Sequence, residues 1–301
     1  MRIVIALGGN ALLARGEKPD AGIQLAHLQV AAAAIAPLAA AHDVVICHGN
    51  GPQVGMLSVE SENDRALSRP YPLDELVAQT QGMIGYWLAQ SLRNAGVHKP
   101  IAALISQTVV DGGDPAFAAP TKFIGPVYTA EQARQVAADR GWVVAADGDR
   151  WRRVVASPEP QRIVEQDSIV RLLDAGSVVI CGGGGGAPVT EDDGRLTGVE
   201  AVVDKDYVAS LLGVVIGATR LLVLTDVAAV IQDFGTPQAA PLASLDVEGL
   251  SRMNFPAGSM GPKIEACRRF VVATGQPAAI GALADAQELL DGRAGTTITA
   301  S

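Results

Sequence analysis

Short runs of aliphatic residues recur along the chain, and each run ends at glycines or at a turn. The runs occupy residues 2–7, 44–47, 178–181 and 221–224. They are rich in β-branched residues and do not alternate with polar positions. This pattern predicts strands that are buried on both faces, as in a parallel sheet.

Longer segments with apolar residues at helical spacing separate these runs. They occupy residues 22–41, 73–95, 165–175 and 204–213, and Pro37 predicts a kink or an early end in the first of them. Because predicted strands and helices alternate, the sequence indicates an α/β fold with a layered sheet.

Residues 111–160 break this alternation. They carry five prolines together with Trp142 and Trp151. We interpret this region as an excursion from the sheet, such as a small protruding subdomain or a lid. A long ordered surface loop is the alternative, although loops of this length are uncommon.

Two segments, residues 43–51 and 177–185, share the form of a strand followed by glycines. The similarity suggests two lobes that each present a glycine loop at the end of a strand. Chance repetition of a common strand pattern explains it about as well.

Composition and charge restrict the classes of function. Hydrophobic residues make up 49% of the 301 residues and charged residues only 18%, which excludes a disordered chain. The formal net charge is −9, and basic residues form no long run. Nucleic acid and anionic membranes are therefore poor candidates for partners, whereas a small anionic substrate requires only a local positive field.

The cysteines and the apolar runs indicate the compartment. The chain has three cysteines, an odd number, and no two are close in sequence, as is typical of a reduced cytoplasmic protein. The N-terminal apolar stretch is too short for a secretion signal, and no apolar run approaches the roughly 20 residues of a membrane span. We therefore expect a cytoplasmic protein with no membrane segment.

Four glycine loops are the first candidates for a binding site. They lie at residues 8–10, 49–51, 182–186 and 258–261, and three of them follow predicted strands. Glycine loops at strand ends expose backbone N–H groups that bind phosphate. One such loop alone is weak support for a ligand, but four together favour two anionic groups that face each other.

Two common phosphate-binding motifs do not fit. The sequence contains no G-x-x-x-x-G-K-[ST] loop. Residues 182–187 match the dinucleotide pattern formally, but Pro188 and a turn follow where a helix should begin. A dehydrogenase is therefore only a runner-up.

The lysines are more specific candidates for functional residues than the glycine loops, because only five of the 23 basic residues are lysines. Lys122, Lys205 and Lys263 lie among glycines, prolines or acidic residues, where a flexible ammonium can follow a phosphoryl group. Three ordinary surface lysines are the alternative. In the segment 204–206, Asp-Lys-Asp, a carboxylate can hold neighbouring ammonium groups in place. His48 could touch a substrate or serve as a structural hydrogen-bonding residue.

These motifs resemble those of the carbamate kinases in the amino acid kinase superfamily. The most specific matches are HGNGPQVG (48–55), PTKFIGP (120–126) and GSMGPK (258–263), and further matches cover nearly the whole chain in order.

The resemblance implies reversible phosphoryl transfer from carbamoyl phosphate to ADP, which forms ATP and carbamate with Mg²⁺ as the cofactor. It also implies a homodimer and a three-layer α/β/α sandwich with a mainly parallel central sheet. A single domain would span residues 1–301. Its N-lobe (about 1–175, including a protruding subdomain at about 111–160) would bind carbamoyl phosphate, and its C-lobe (about 176–301) the nucleotide.

The resemblance also implies roles for individual residues, and it names no protein ligands for a metal. The catalytic residues would be Lys122, Lys205, Asp206 and Lys263. The carbamoyl phosphate site would contain Gly8, Gly9, Asn10, Gly49, Asn50 and Gly51. The nucleotide site would contain Gly183, Gly184, Thr225, Asp226, Met260 and Gly261.

Four residues depart from the family pattern. Phe123 replaces a usual proline, Cys47 a threonine, Ala228 an aspartate and Ile231 a tyrosine. These departures keep two alternatives open: a divergent kinase for another small carboxylate or carbamoyl acceptor, and a non-catalytic protein that binds nucleotide or carbamoyl phosphate. The presence of all three lysines and Asp206 argues against the second.

Overall fold

The computed structural model describes residues 1–9, 12–14, 16–253, 255 and 260–301. The strands are β1 (Arg2–Leu7), β2 (Asp43–His48), β3 (Ile101–Ala103), β4 (Gln107–Val110), β5 (Lys122–Tyr128), β6 (Val144–Asp147), β7 (Arg150–Val155), β8 (Pro160–Ile163), β9 (Val178–Ile180), β10 (Ala187–Asp192), β11 (Arg195–Gly198), β12 (Arg220–Thr225), β13 (Val230–Gln232), β14 (Ala240–Leu242), β15 (Ser244–Asp246), β16 (Ala278–Ala282) and β17 (Thr296–Thr299). The helices are α1 (Ala21–Ala41), α2 (Gly51–Asn63), α3 (Leu73–Asn94), α4 (Ala130–Arg140), α5 (Gln166–Asp174), α6 (Lys205–Val215), α7 (Val247–Ser251), α8 (Met260–Thr274) and α9 (Ala286–Leu290).

A mainly parallel sheet forms the centre of the fold. Within the described residues it has eight strands in the order β15-β17-β16-β12-β1-β2-β9-β3. The pairs from β16 to β3 are parallel, whereas β17 runs antiparallel to β16. The four aliphatic runs of the sequence become β1, β2, β9 and β12, which confirms their prediction as buried parallel strands.

Helices cover both faces of the central sheet. Ile3 and Ile5 of β1 pack in a core with side chains of α1, α3 and α9. Val4 and Ala6 point to the other face and pack with α5, α6 and α8. Because successive side chains of a strand point to opposite faces, an unbroken aliphatic run serves both cores. The three-layer α/β/α sandwich is thus confirmed.

Helix α1 differs from its prediction in two respects. It continues past Pro37 to Ala41, so the early end was wrong, and the backbone N–H of His42 still bonds to Leu38 O at 2.9 Å. It is also long and apolar enough to span a membrane by length and composition, which no run in the sequence had indicated. Leu28, Ile35 and Leu38 are fully buried against the sheet, so its position in the core accounts for its apolar character.

The region at residues 111–160 contains regular structure. Strands β5, β7 and β6 form an antiparallel sheet with α4 beside it, and we call residues 122–155 the subdomain. Residues 160–163, by contrast, pair as β8 with β4 in another small sheet, together with β10 and β11. The division of the chain into two lobes remains a prediction.

The subdomain packs on helix α2 through a contact between two glycine backbones. A Cβ placed on Gly55 of α2 would lie 1.9 Å from Gly125 Cα of β5, so only glycine permits this approach. Nearby, Trp142 Nε1 donates to Glu62 Oε1 at 2.9 Å, and Arg153 donates to Ser58 Oγ at 2.6 Å. The subdomain is therefore docked on α2 by contacts that do not involve the candidate site.

Candidate functional site

The glycine loops meet at the carboxyl edge of the central sheet. Gly8 follows β1, and Gly49 follows β2 in the neighbouring position. The N–H of Gly8 bonds to Leu224 O at 2.9 Å and that of Gly49 to Leu7 O at 3.1 Å, so both loops continue the strand pairing. In open α/β sheets, this edge is where ligands bind.

Asp206 joins two of the predicted lysines. Lys205 Nζ lies 2.5 Å from Asp206 Oδ1, and Lys263 Nζ lies 3.0 Å from Asp206 Oδ2. All three side chains are buried. The first turn of α6 supplies Lys205 and Asp206, and the first turn of α8 supplies Lys263, so two helix N-termini point their charged side chains at one place.

The charges of this cluster stabilise one another. Burial alone would raise the pKa of Asp206, but the ammonium groups of Lys205 and Lys263 outweigh it and lower that pKa well below its usual range. Burial would lower the pKa of Lys205, but the carboxylates of Asp206 and Asp204 raise it. The pKa of Lys263 is lowered by burial and by repulsion from Lys205. The cluster keeps an ionised carboxylate between two cationic side chains.

The third predicted lysine, Lys122, pairs with Asp204. Lys122 is the first residue of β5 in the subdomain, and its ammonium forms an ion pair with Asp204 Oδ2. Asp204 is the N-cap of α6, and its Oδ1 accepts the backbone N–H of Asp206 at 2.9 Å. Although burial opposes it, the charge of Lys122 lowers the pKa of Asp204. The structure therefore brings all three lysines around the N-terminus of α6.

Lys205 extends along the glycine loops. A Cβ on Gly49 would lie 3.4 Å from Lys205 Cε and 3.3 Å from the Gly9 backbone. The ammonium-bearing stem and the two loops are thus in close contact, and Gly49 leaves the space for that contact. This places positive charge beside backbone groups at the strand ends.

The glycines after β9 lie against the loop after β2. A Cβ on Gly183 would lie 2.4 Å from the His48 ring, and one on Gly184 would lie 2.1 Å from Asn50 Nδ2. Asn50 is buried, and its Nδ2 donates to Thr80 Oγ1 at 2.9 Å. These two glycines, predicted for the nucleotide site, therefore adjoin residues predicted for the carbamoyl phosphate site, and their contact with nucleotide remains a prediction.

The other residues predicted for the nucleotide site lie at the ends of β12 and α8. Thr225 ends β12, and its hydroxyl donates to the carboxylate of Asp226 at 3.0 Å. Met260 and Gly261 open α8, in the same turn as Lys263. Gly51 begins α2. Asn10, Gly258 and Ser259 lie outside the described residues.

The structure supports the hydrogen-bonding role of His48. The ring is buried, and Nδ1 lies 3.0 Å from Gly49 O, which can only accept, so Nδ1 carries the proton. Burial lowers the pKa of His48 to about 4, against the hydrogen bond to Gly49, and the charge of Lys205 lowers it further. His48 is thus neutral at physiological pH and braces the loop after β2.

Sequence reasoning did not assign a role to Asp204 or Gly55. The sequence did contain an indication for Asp204, because this residue belongs to the Asp-Lys-Asp segment, in which only Asp206 was assigned a role. Gly55 is the last residue of the motif at 48–55. Its contact with Gly125 could not be predicted from the sequence, because the two glycines lie 70 residues apart.

No protein cage for a metal ion is formed by the part of the chain that the structure describes: no three His, Cys, Asp or Glu side chains cluster closely enough. The cationic groups of the site are instead the ammonium groups of Lys122, Lys205 and Lys263, which suit phosphate oxygens. Mg²⁺ characteristically keeps several waters and is held largely by substrate phosphates. The residues present thus fit a Mg²⁺ ion that is bound together with a nucleotide.

Known proteins are similar to this chain in sequence and in fold. A model of the amino acid kinase family matches residues 1–282. The chain is 50% identical to a carbamate kinase of Rhizobium meliloti (strain 1021), over 100% of this chain and 94% of the relative. It is similar to the structures of the carbamate kinase from Giardia lamblia bound to citric acid (TM-score 0.93) and to AMP-PNP (TM-score 0.89). Each of these is 36% identical and covers 99% of this chain and 98% of its own.

Proposed function

Since the chain belongs to the amino acid kinase family, and within it to the carbamate kinases, we propose that it transfers a phosphoryl group reversibly between carbamoyl phosphate and ADP, forming carbamate and ATP. The observation that carries this function is the convergence of three lysines at the carboxyl edge of the sheet, where Lys122 pairs with Asp204, and Lys205 and Lys263 pair with Asp206. Three ammonium groups at one point suit a transferring phosphoryl group better than any neutral substrate.

The reaction breaks the bond between phosphorus and the carbamoyl oxygen and forms a bond between phosphorus and a terminal oxygen of ADP. Such a transfer requires mainly positioning and stabilisation of charge on the phosphoryl oxygens. Lys205 and Lys263 supply that charge, and Asp206 keeps both ammonium groups directed at the same place. Since Asp206 stays ionised, it orients the lysines and does not exchange protons with the substrate.

The two substrates occupy the two sides of this lysine cluster. On the carbamoyl phosphate side we place the loops after β1 and β2, with Gly8, Gly9, Asn10, Gly49, Asn50 and Gly51. The N–H groups of Gly8 and Gly49 already pair with the neighbouring strands, so these two glycines contribute space beside the substrate and not hydrogen-bond donors. On the nucleotide side we place Thr225, Asp226, Met260 and Gly261. For Gly183 and Gly184 the contacts favour a supporting role, because both leave space for His48 and Asn50.

We propose Mg²⁺ as the cofactor, held by the phosphate oxygens of ATP or ADP. When bound, it would neutralise part of the phosphate charge. The role of this chain's residues is to bind the phosphates that carry it.

We also propose a homodimer in the cytoplasm, on the basis of the resemblance. All three cysteines, Cys47, Cys181 and Cys267, are free and buried, which supports a reducing compartment. Sedimentation velocity should then show a particle of twice the 31.0 kDa chain mass.

The activity is tested by measuring ATP formation from ADP and Mg²⁺ with carbamoyl phosphate, in parallel with acetyl phosphate. We expect turnover with carbamoyl phosphate only. Turnover with acetyl phosphate would indicate a kinase for another small acid. Binding of carbamoyl phosphate or ADP without ATP formation would indicate the non-catalytic alternative.

A further inference from the structure

The ion pair between Lys122 and Asp204 connects two separate parts of the fold. Lys122 begins β5 in the subdomain, whereas Asp204 caps α6 on the face of the central sheet. Asp204 is buried, whereas the side chain of Lys122 is 31% exposed to solvent. The ion pair therefore lies at the boundary between the site and solvent. Its acidic residue is in the interior, and its basic residue is nearer to solvent.

This ion pair is not needed to dock the subdomain. Gly55 and Gly125 already fix the position of β5 on α2, and Trp142 and Arg153 add hydrogen bonds to the same helix. What these contacts leave undetermined is the direction of the Lys122 side chain, which has four rotatable carbon–carbon bonds. Ordering such a long side chain costs conformational entropy.

Asp204 has one carboxylate oxygen for each of two tasks. Its Oδ1 accepts the N–H of Asp206 and caps α6, and its Oδ2 accepts the ammonium of Lys122. The capping bond orients the carboxylate rigidly, and the rigid carboxylate orients the lysine. Because Lys205 and Asp206 follow directly in the chain, the Lys122 ammonium is held next to the other two lysines.

We propose that Asp204 is a positioning residue that holds the Lys122 ammonium at the phosphoryl site before carbamoyl phosphate binds. Without it, binding must order the lysine at the expense of affinity. This inference rests on the proposed function, in which Lys122 contacts the substrate and Asp204 acts only through Lys122.

The test is a double-mutant cycle of Asp204→Asn and Lys122→Ala, with ATP formation from carbamoyl phosphate as the readout. Asparagine keeps an oxygen for the cap of α6 but loses the charge that holds Lys122. In the otherwise unchanged enzyme, we expect Asp204→Asn to raise KM for carbamoyl phosphate roughly tenfold and to change kcat much less. In the Lys122→Ala background, the same substitution should change KM by less than about twofold, because the side chain through which it acts is gone.

Asp246→Asn is the matched control. Asp246 is also an N-cap aspartate, with its Oδ1 bonded to Gly249 N, but it ends β15, which runs opposite to β16 and so places it at the other edge of the sheet. It should leave KM unchanged. Should Asp204→Asn fail to fold, Asp204→Ser retains a capping oxygen without the charge and enters the same cycle.

Equal losses of kcat/KM in both backgrounds, or an unchanged KM in the single variant, would overturn the positioning role and leave the proposed function intact. Failure of the proposed function is separately visible, since the unsubstituted enzyme would then form no ATP from carbamoyl phosphate.

Discussion

At the scale of single residues, the site depends on how buried charges are balanced. Asp206 is ionised in the interior because two ammonium groups face its two oxygens. Removing one partner of such a group leaves an uncompensated buried charge, which is far more costly than the loss of an exposed ion pair. Each lysine therefore affects the ionisation of its neighbours, in addition to the chemistry proposed for it.

Lys263→Ala tests this at the residue scale. We expect kcat for ATP formation to fall roughly 100-fold or more, because the lost charge acts mainly in the transition state. Lys99→Ala removes a lysine whose Nζ bonds to His42 O, ahead of β2 at the opposite edge of the sheet, and should leave kcat unchanged. A kcat for Lys263→Ala near that of the unsubstituted enzyme would remove Lys263 from the mechanism.

At the scale of elements, the position of one strand depends on one helix. Strand β5 carries Lys122 at its start and Gly125 at its contact with α2. A methyl group on Gly55 would meet Gly125 N at 2.1 Å as well as its Cα, and backbone atoms have no rotamer with which to move aside. The approach of β5 to α2 therefore sets where Lys122 can reach.

Gly55→Ala should displace the subdomain and raise KM for carbamoyl phosphate. A shift of one ångström in a positioning group can cost about 100-fold in rate, so we expect kcat/KM to fall by at least roughly tenfold. Gly82→Ala is the control, since a Cβ there meets nothing within 4 Å in α3, and alanine is the better helix former. Equal kcat/KM in both variants would show that the contact does not position Lys122.

At the scale of the whole molecule, the central sheet joins distant parts of the chain. Strand β1 pairs with β12, and β2 pairs with β9, so residues more than a hundred positions apart share one edge. That edge buries ionisable groups in a core that is otherwise aliphatic. Global stability should therefore depend on pH through the groups that the fold buries.

His48 should make the protein less stable in mild acid. Its pKa falls from 6.5 to about 4 on folding. Between these two pH values, the histidine is largely protonated in the unfolded chain and largely neutral in the native state. The contribution of His48 to the free energy of unfolding is therefore fully present above about pH 6.5 and is lost as the pH falls toward about 4. From about pH 7 to about pH 5, the free energy of unfolding should decrease by ~2 kcal/mol through this residue.

Urea denaturation of the unsubstituted protein and of His48→Gln at both pH values provides the measurement. The substitution removes the titrating ring, so the difference in stability between the two proteins should shrink in acid. The pKa of His42 is also lowered, mainly by burial, and the comparison cancels its contribution. A difference that does not change with pH would contradict the neutral, buried state of His48.

The sequence by itself determined the layers and the candidate chemistry. Hydrophobic periodicity is a local property, so the unbroken aliphatic runs predicted β1, β2, β9 and β12, and helical spacing predicted the helices between them. The scarcity of lysine singled out Lys122, Lys205 and Lys263 without knowledge of their distance in space. The Asp-Lys-Asp segment likewise indicated a carboxylate that holds neighbouring ammonium groups, and the family resemblance assigned that role to Asp206.

Only the tertiary structure decided which of these residues meet. The pairing of Lys122 with Asp204, the contact of Gly55 with Gly125 and the position of Gly184 beside Asn50 all depend on the order of strands and on the docking of the subdomain. Helix α1 continues through Pro37 because burial on the sheet outweighs a lost hydrogen bond, a balance that local propensity does not contain. Contacts between distant segments arise from packing, and packing is a property of the complete fold.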